Sequence, residues 1–137
     1  MTTPDDIALV DSVIAHARKA QVAFEAAGSQ ESYDQAAQAV GWAIMEPTRN
    51  RALAQLAVQT TGLGNVDDKI TKNHRKTLGL LRDIAEAKTY GIISDDPTTG
   101  VTEIARPIGV VGAVVPSTNP AATPANNIIN ALKSGNA

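Results

Sequence analysis

The residues best placed to do chemistry lie in a polar loop that follows a wholly apolar segment. Residues 108–115 (IGVVGAVV) contain only valine, isoleucine, alanine and glycine, and a proline stands on each side, Pro107 and Pro116. An unbroken apolar run of this kind is typical of a parallel strand covered on both faces of an α/β sheet. Ligands of such sheets bind at the carboxyl ends of the strands. The loop that begins at Pro116 is therefore predicted to bind a nucleotide or a substrate.

The glycines near this loop do not form the usual phosphate-binding fingerprint. Gly109 and Gly112 lie inside the predicted strand, and no G-x-G-x-x-G sequence opens the helix that follows. Gly62 and Gly64 could be read as a phosphate loop, but no strand precedes them, so they are predicted to end a helix. The spacing alone gives a dinucleotide site only weak support.

Other groupings of reactive side chains are few. The charged residues at 67, 68, 69 and 72 could form a catalytic cluster, but Asp68 and Lys72 are four positions apart on a predicted helix and are expected to form a solvated pair. No cysteine is present, which excludes disulfides, thiolate metal sites and a cysteine nucleophile within these residues. His16 and His74 are far apart and are expected to be solvated, so no metal site is predicted.

Residues 1–90 are predicted to be helical. Helix starts are expected at Thr3, Ser29, Pro47 and Asn65, and helix ends at Gly28 and Gly62, because caps, first-turn prolines and terminal glycines occur there. The apolar stripes expected to face a core are Ile7, Val10, Ile14 and Ala17; Tyr33, Ala36, Ala37, Val40 and Ile44; Leu53, Leu56 and Ala57; and Val66, Ile70, Leu78, Leu81 and Ile84.

Residues 91–107 are predicted to form a β-hairpin, and residues 108–137 a strand, a loop and a helix. The hairpin prediction rests on two short apolar runs around the turn sequence DDPTTG. The last helix should begin near Thr123 and Pro124, carry Lys133 in its last turn and end before Gly135. Its inward residues are predicted to be Ile128, Ile129 and Leu132. The fold class is thus α/β, with a strand that needs neighbours to cover it.

Two motifs resemble the aldehyde dehydrogenase superfamily. The run RPIGVVGAVVP, followed by STNP and closing with ALKSGNA, is similar to its P-[IV]-G-V-[VI]-x-x-[IV]-x-P strand, loop and helix ending in G-N. STNP in place of WNFP resembles the CoA-acylating branch. TGLGNVDDKITKNH, residues 61–74, resembles the T/S-G-x-G-x-V-x-D-K-x-x-K-N stretch of acylating acetaldehyde, succinate-semialdehyde and sulfoacetaldehyde dehydrogenases. The resemblance covers nearly the whole chain. It implies that the chain is the N-terminal part of such an enzyme and contains an incomplete Rossmann cofactor-binding domain. The hairpin is then expected to correspond to the strands through which enzymes of this family oligomerise.

The resemblance also implies a mechanism. In this family a cysteine thiolate attacks the aldehyde, hydride passes to NAD or NADP, and the thioester is transferred to coenzyme A. Aligning the two prolines of this loop with those of the non-acylating pattern places Thr118 where those relatives have their oxyanion-hole asparagine. Asn119 falls one position later, so Thr118 and Asn119 are both candidates for the residue that stabilises the oxyanion. The cysteine is absent from this chain, which alone is expected to be inactive. The loop residues to which the resemblance assigns cofactor binding are Val114, Val115, Pro116, Ser117, Thr118 and Asn119.

Composition narrows the remaining classes of function. A formal net charge of −2 provides no basic surface for nucleic acid. No apolar run reaches the roughly 18 residues of a membrane span, and the acidic start is unlike a secretory signal, so a cytoplasmic protein is expected. The complete enzyme is expected to be a homo-oligomer acting on a small aldehyde, for which overall similarity favours sulfoacetaldehyde. The alternative is a non-catalytic helical interaction or assembly module derived from this family.

Overall fold

The computed structural model describes residues 3–137, in which helices precede and follow a two-stranded sheet. The elements are α1 (Pro4–Ala26), α2 (Gln30–Met45), α3 (Pro47–Thr61), α4 (Val66–Asp83), β1 (Gly91–Asp96), β2 (Val101–Ala105) and α5 (Ala122–Lys133). Their types and order are the predicted ones, apart from a strand expected at residues 108–115.

The helix ends occur where the sequence predicted them. Thr3 and Asp6 form a capping box at α1, since each side chain accepts a hydrogen bond from the other residue's backbone N–H. Ser29 caps α2, and Asn65 caps α4. Gly62 ends α3 with a φ of 68°, a left-handed conformation that favours glycine.

The cap of α3 was not anticipated from the sequence. The Glu46 carboxylate accepts hydrogen bonds from the backbone N–H groups of Thr48 and Arg49 at 3.0 and 2.9 Å. These bonds hold the pKa of Glu46 below its ordinary value, because they stabilise the ionised carboxylate.

Helix α2 is the centre of the packing and contacts α3, α4 and α5. Its largest core residue, Tyr33, is fully buried, and burial raises the pKa of its phenol. Phe24 and Tyr90 pack on the Tyr33 ring, with centroids 5.0 and 5.8 Å away. A Cβ added at Gly28 or Gly135 would lie only 2.4 or 2.5 Å from atoms of Tyr33. The ends of α1 and α5 therefore approach the phenol closely only because both residues are glycine.

Several residues predicted to face the core are instead exposed. Small and polar residues, rather than leucine, are buried on α3 and α4. On α3 the buried residues are Asn50, Ala54 and Ala57, and on α4 they are Lys69, Asn73 and Thr77. The predictions were wrong for Leu53, Leu56, Leu78 and Ile128, and for Ile7, Val10 and Ile14 on α1.

A buried pair of amides joins α3 to α4. The Asn73 Nδ2 group donates to Asn50 Oδ1 at 2.9 Å, and Asn50 Nδ2 donates to the Ile70 carbonyl at 3.0 Å. Because both amides are almost fully buried, these bonds replace the water that each group lost on folding.

An ion pair joins α5 to α2. Lys133 is buried, and its Nζ donates to Asp34 Oδ1 and to the Ala85 carbonyl. Thr89 connects the same region, because its hydroxyl donates to the Lys133 carbonyl while its backbone N–H donates to Gln30. Lys133 was predicted only to lie in the last turn, where it does lie.

The hairpin has the predicted place and form. Strands β1 and β2 pair antiparallel from Gly91 opposite Ala105 to Asp96 opposite Val101, with an irregularity between Ile92 and Ser94. Most residues of both strands are exposed in this chain.

Residues 108–115 do not form the predicted buried strand. Ile108 and Val114 are 94% and 97% exposed, and no strand is assigned there within residues 3–137. Among the described residues, Ala137 is the one whose backbone pairs with this segment: its N–H donates to the Gly109 carbonyl, and its carbonyl accepts from the Val111 N–H. Because Ala137 bonds to Gly109 and Val111, which are two positions apart on the segment, the hydrogen-bond pattern is that of parallel strands. The segment has the pairing direction of a parallel strand, but no strand assigned within residues 3–137 lies beside it.

Candidate functional site

The two motifs singled out in the sequence meet in one cleft of about 280 Å³. One wall is the turn between α3 and α4 with the first turns of α4, and the other wall is the loop that follows residues 108–115. Its lining residues are Leu63, Gly64, Asn65, Asp68, Lys69, Lys72 and Thr118. Residues far apart in the sequence thus share one concave surface, which is the usual arrangement of a ligand site.

The turn wall is shaped by glycine and by the α4 cap. Gly62 and Gly64 have φ values of 68° and 73°. Asn65 then starts α4, because its Oδ1 accepts from the Asp68 N–H at 2.9 Å and its Nδ2 donates to the Asp68 carboxylate at 2.6 Å. The prediction that Gly62 ends a helix is confirmed, and residues 3–61 contain no strand that could lead into a phosphate loop.

Lys69 is the unexpected member of this wall. The side chain passes over Gly64, with Lys69 Cε 3.7 Å from the position that a Cβ on Gly64 would take. Only 7% of the residue is exposed, but its Nζ is not one of the buried polar atoms without a partner, so the ammonium group keeps contact with solvent. Its position in a charged sequence run suggested a solvated helix face, and nothing in the spacing signalled its burial.

The predicted pair of Asp68 and Lys72 does not form. No ion pair within 4.0 Å joins them in the described part of the chain, because the Asp68 carboxylate is bonded to Asn65 instead. Lys72 is half-buried and faces the same cleft. The cleft therefore contains two ammonium groups and one carboxylate.

The loop wall contains the residues that the sequence predicted to bind the cofactor. The Asn119 N–H donates to the Pro116 carbonyl at 3.3 Å and closes a turn. Within residues 3–137 the side chains of Ser117, Thr118 and Asn119 make no hydrogen bond, so their polar groups are available to a ligand. Of the six loop residues predicted, only Thr118 lines the cleft.

Asn136 holds the apolar segment that leads into the loop. Its side-chain Oδ1 accepts from the backbone N–H groups of Ile108 and Gly109 at 2.7 and 2.9 Å, and the residue is 5% exposed. Gly135, with a φ of 73°, ends α5 as predicted and turns the chain toward this contact. In the sequence Asn136 is only part of the closing G-N motif, and no spacing signal there indicates its contact with residues 108 and 109.

Within residues 3–137, no three histidine, cysteine, aspartate or glutamate side chains are grouped as metal ligands. No helix in the same range combines the length and apolar character needed to cross a membrane. His16 bonds to the Ser12 carbonyl at 2.8 Å, and His74 is exposed on α4.

Comparison with known proteins identifies relatives along nearly the whole chain, although no family model matches. The acylating sulfoacetaldehyde dehydrogenase of Cupriavidus necator is 65% identical over 127 residues, which are 93% of this chain and 26% of that protein. The enzyme of the same name from Bilophila wadsworthia is 44% identical over 121 residues, covering 88% and 26%.

The fold matches as well. The crystal structure of an acetylating aldehyde dehydrogenase from Geobacillus thermoglucosidasius superposes with a TM-score of 0.89 at 36% identity, over 96% of this chain and 28% of that one. The chain spans about a quarter of the length of these two sulfoacetaldehyde dehydrogenases. The resemblance seen in the two motifs is confirmed, and the chain belongs to the family of acylating aldehyde dehydrogenases.

Proposed function

We propose that this chain supplies part of the cofactor-binding half of an NAD(P)-dependent, CoA-acylating sulfoacetaldehyde dehydrogenase. The reaction is aldehyde plus CoA plus NAD(P)⁺ giving acyl-CoA plus NAD(P)H and a proton. The observation that carries the proposal is the meeting of the two motifs in one cleft, where Thr118 faces Gly64 and Lys69. The choice of sulfoacetaldehyde follows the names of the relatives from C. necator and B. wadsworthia.

The loop has the chemistry that the cofactor's nicotinamide end would need. Ser117, Thr118 and Asn119 offer polar groups that the described residues do not use. Helix α5, in contrast, begins at Ala122 without a side-chain cap or a glycine-rich turn, so its start is not a built pyrophosphate site. The residues proposed to hold the nicotinamide end are therefore 114–119. When bound, NAD(P)⁺ accepts the hydride released from the substrate.

Thr118 or Asn119 is proposed to stabilise the oxyanion. A hydroxyl or amide N–H aimed at the developing oxygen charge stabilises the transition state more than the ground state. The Asn136 contact to Ile108 and Gly109 keeps the preceding segment in place. The nucleophilic thiol has to come from outside these residues, because no cysteine is present among them.

The test is a complete enzyme in which this chain replaces the matching quarter of the C. necator relative. In that chimera, Thr118→Ala or Asn119→Ala should lower kcat about 100- to 1000-fold, as loss of one oxyanion donor usually does. Gln59→Ala, at an exposed polar residue of α3 outside the loop, is the control, and its kcat should stay within about threefold of the parent chimera. Near-parental kcat in both the Thr118 and the Asn119 variant would refute the site assignment.

The proposal also predicts that the chain alone is inactive. Purified chain, incubated with sulfoacetaldehyde, NAD⁺ or NADP⁺ and CoA, should form no thioester above a protein-free blank, because it has no thiol. Homo-oligomerisation through β1 and β2 and a cytoplasmic location belong to the same proposal. Light scattering on the chimera measures the first of these.

A further inference from the structure

We propose that Asn136 and Gly109 form a clamp that positions the loop at residues 116–119 for the reaction. This inference rests on the proposed function, and it gives a role to the glycine of the PIGV sequence, which belongs to no phosphate-binding fingerprint. Asn136 is a positioning residue here, because it acts through the segment that leads into the loop and not on the substrate itself.

The clamp is a single amide oxygen that accepts two consecutive backbone hydrogen bonds. Asn136 Oδ1 accepts from the N–H groups of Ile108 and Gly109 at 2.7 and 2.9 Å. Asn136 is 5% exposed, so water has little access to replace either bond. Its Nδ2 donates to the Ser134 carbonyl at 3.3 Å, which orients the amide with its oxygen toward the segment.

Gly109 supplies the backbone conformation at the clamp. Its φ of 125° lies in a region that glycine adopts readily and that residues with a Cβ rarely adopt. A Cβ built on Gly109 would meet no atom within 4 Å among residues 3–137, so lack of space does not explain the glycine. We attribute it to the conformation, which brings two successive N–H groups to one oxygen.

Helix α5 holds Asn136 in place. The Asn136 N–H donates to the Ala131 carbonyl at 2.8 Å. The Gly135 N–H donates to the Leu132 carbonyl at 3.0 Å. With Gly135 at a φ of 73°, these two bonds form the Schellman motif that ends many helices. Because α5 packs on α2 and α4, the clamp oxygen belongs to the packed part of the chain.

The same helix fixes both ends of the stretch that contains the loop. At one end, the clamp and Ala137 hold residues 108–111 near the C-terminal end of α5. At the other end, the chain enters α5 at Ala122. Residues 111–113 share a cleft of about 450 Å³ with the middle of α5, so the segment runs along the helix. Releasing the clamp should therefore displace the loop.

Hydrogen exchange of the 137-residue chain, followed by mass spectrometry, tests the clamp without catalysis. Asn136→Ala removes the accepting oxygen, and Gly109→Ala disfavours the backbone conformation. In each variant, peptides that cover residues 107–112 should exchange at least about tenfold faster than in the parent chain. Peptides that cover residues 116–121 should also exchange faster, because the Asn119 N–H closes the turn of the loop.

Gly112→Ala is the matched control for Gly109→Ala. Gly112 lies in the same segment, but its φ is not positive, and a Cβ there would meet nothing within 4 Å among residues 3–137. Both groups of peptides should therefore exchange in this variant as they do in the parent chain.

Kinetics of the chimera test the consequence for the reaction. Asn136→Ala and Gly109→Ala should each lower kcat per folded subunit about 10- to 100-fold, because a small misplacement of reacting groups costs about that much. Each should also raise the KM of the nicotinamide cofactor at least about threefold, since the loop is proposed to hold its nicotinamide end. A residue that only stabilised the fold would change the amount of folded enzyme and leave both constants unaltered.

The double variant, Gly109→Ala with Asn136→Ala, distinguishes one clamp from two unrelated contacts. If both residues act through the same hydrogen bonds, the double variant should lose at most about threefold in kcat beyond the worse single variant. Independent losses would multiply, to about 100-fold when each single loss is about tenfold, and that result would overturn the clamp.

The outcomes separate this inference from the proposed function. A chimera that is inactive before any substitution contradicts the proposed function, while the exchange experiment still decides the clamp. Unaltered exchange of residues 116–121 in both Asn136→Ala and Gly109→Ala would overturn the clamp, and so would a parental kcat in both variants. An equal effect of Gly112→Ala would overturn it as well, since any alanine in the segment would then have the same result.

Discussion

Gly135→Ala should destabilise the chain through two separable effects. The first is backbone strain, because Gly135 has a φ of 73°, and a left-handed conformation costs a residue with a Cβ about 1–2 kcal/mol. The second is a collision, because the new Cβ would lie 2.5 Å from Cζ of Tyr33. The phenol is fully buried and also abuts Gly28, so the ring cannot retreat without opening the core. Overpacking of this kind costs about 1–3 kcal/mol, which brings the expected total to about 2–5 kcal/mol.

Gly62→Ala is the matched control for this experiment. Its φ of 68° is almost the same, but a Cβ there would meet nothing within 4 Å. This variant should lose only the backbone term, about 1–2 kcal/mol. Urea unfolding followed by far-UV circular dichroism measures both variants, since most of the chain is helical. If Gly135→Ala loses no more stability than Gly62→Ala, the close packing of α5 against Tyr33 has been misjudged.

Three further predictions concern the ion pair, the α3 cap and the apolar segment. Asp34→Ala should lower the free energy of unfolding by about 2–4 kcal/mol, because it leaves the buried Lys133 ammonium group unpaired. Lys133→Met should lower it by less, because it removes that buried charge. Urea unfolding midpoints of the two variants test the difference. Glu46 has a lowered pKa, so its stabilising effect is complete above about pH 4.5, the ordinary value, and disappears as the pH falls through the folded-state pKa. The stability difference from Glu46→Gln should therefore vanish in acid, and a difference that persists at pH 2 would contradict the cap. The isolated chain should bind a hydrophobic dye and associate as its concentration rises, because Ile108 and Val114 are exposed. Replacing both residues with serine should weaken dye binding and association. A chain that sediments as a monomer and binds no dye would contradict this prediction.

Local signals in the sequence were sufficient to predict the helix ends and the hairpin. Thr3, Ser29 and Asn65 are caps because their own side chains reach the next turn, and Gly62 ends a helix because its conformation favours glycine. These interactions span three or four residues, so they can be recognised without knowing the fold. The motif resemblance predicted the family in the same direct way.

Side-chain direction in the packed helices was harder to predict. Leu53 and Leu56 were expected inside because they are apolar, but Asn50 and Ala54 are buried in their place. The reason is the bond between Asn50 and Asn73, which pairs residues on different helices and leaves no periodic apolar pattern to detect.

The candidate site depended on long-range contacts in the same way. The loop around Thr118 was predicted as a ligand site, whereas Lys69 was placed on a solvated face. Only the approach of the loop to the first turns of α4 makes Lys69 part of a cleft. Similarly, residues 108–115 have the composition of a covered strand, but a strand is formed by its neighbours, and Ala137 alone supplies pairing here.

The most direct test of the proposed function is thioester formation by the chimera with the C. necator relative. After gel filtration and thermal unfolding show that the chimera assembles like the parent enzyme, it should convert sulfoacetaldehyde to an acyl-CoA only when both CoA and a nicotinamide cofactor are added. Its kcat/KM should lie within about tenfold of the parent, a difference of about 1.4 kcal/mol in transition-state stabilisation. A chimera that assembles normally but forms no acyl-CoA under these conditions would contradict the proposal that this chain supplies the cofactor-binding part of such an enzyme.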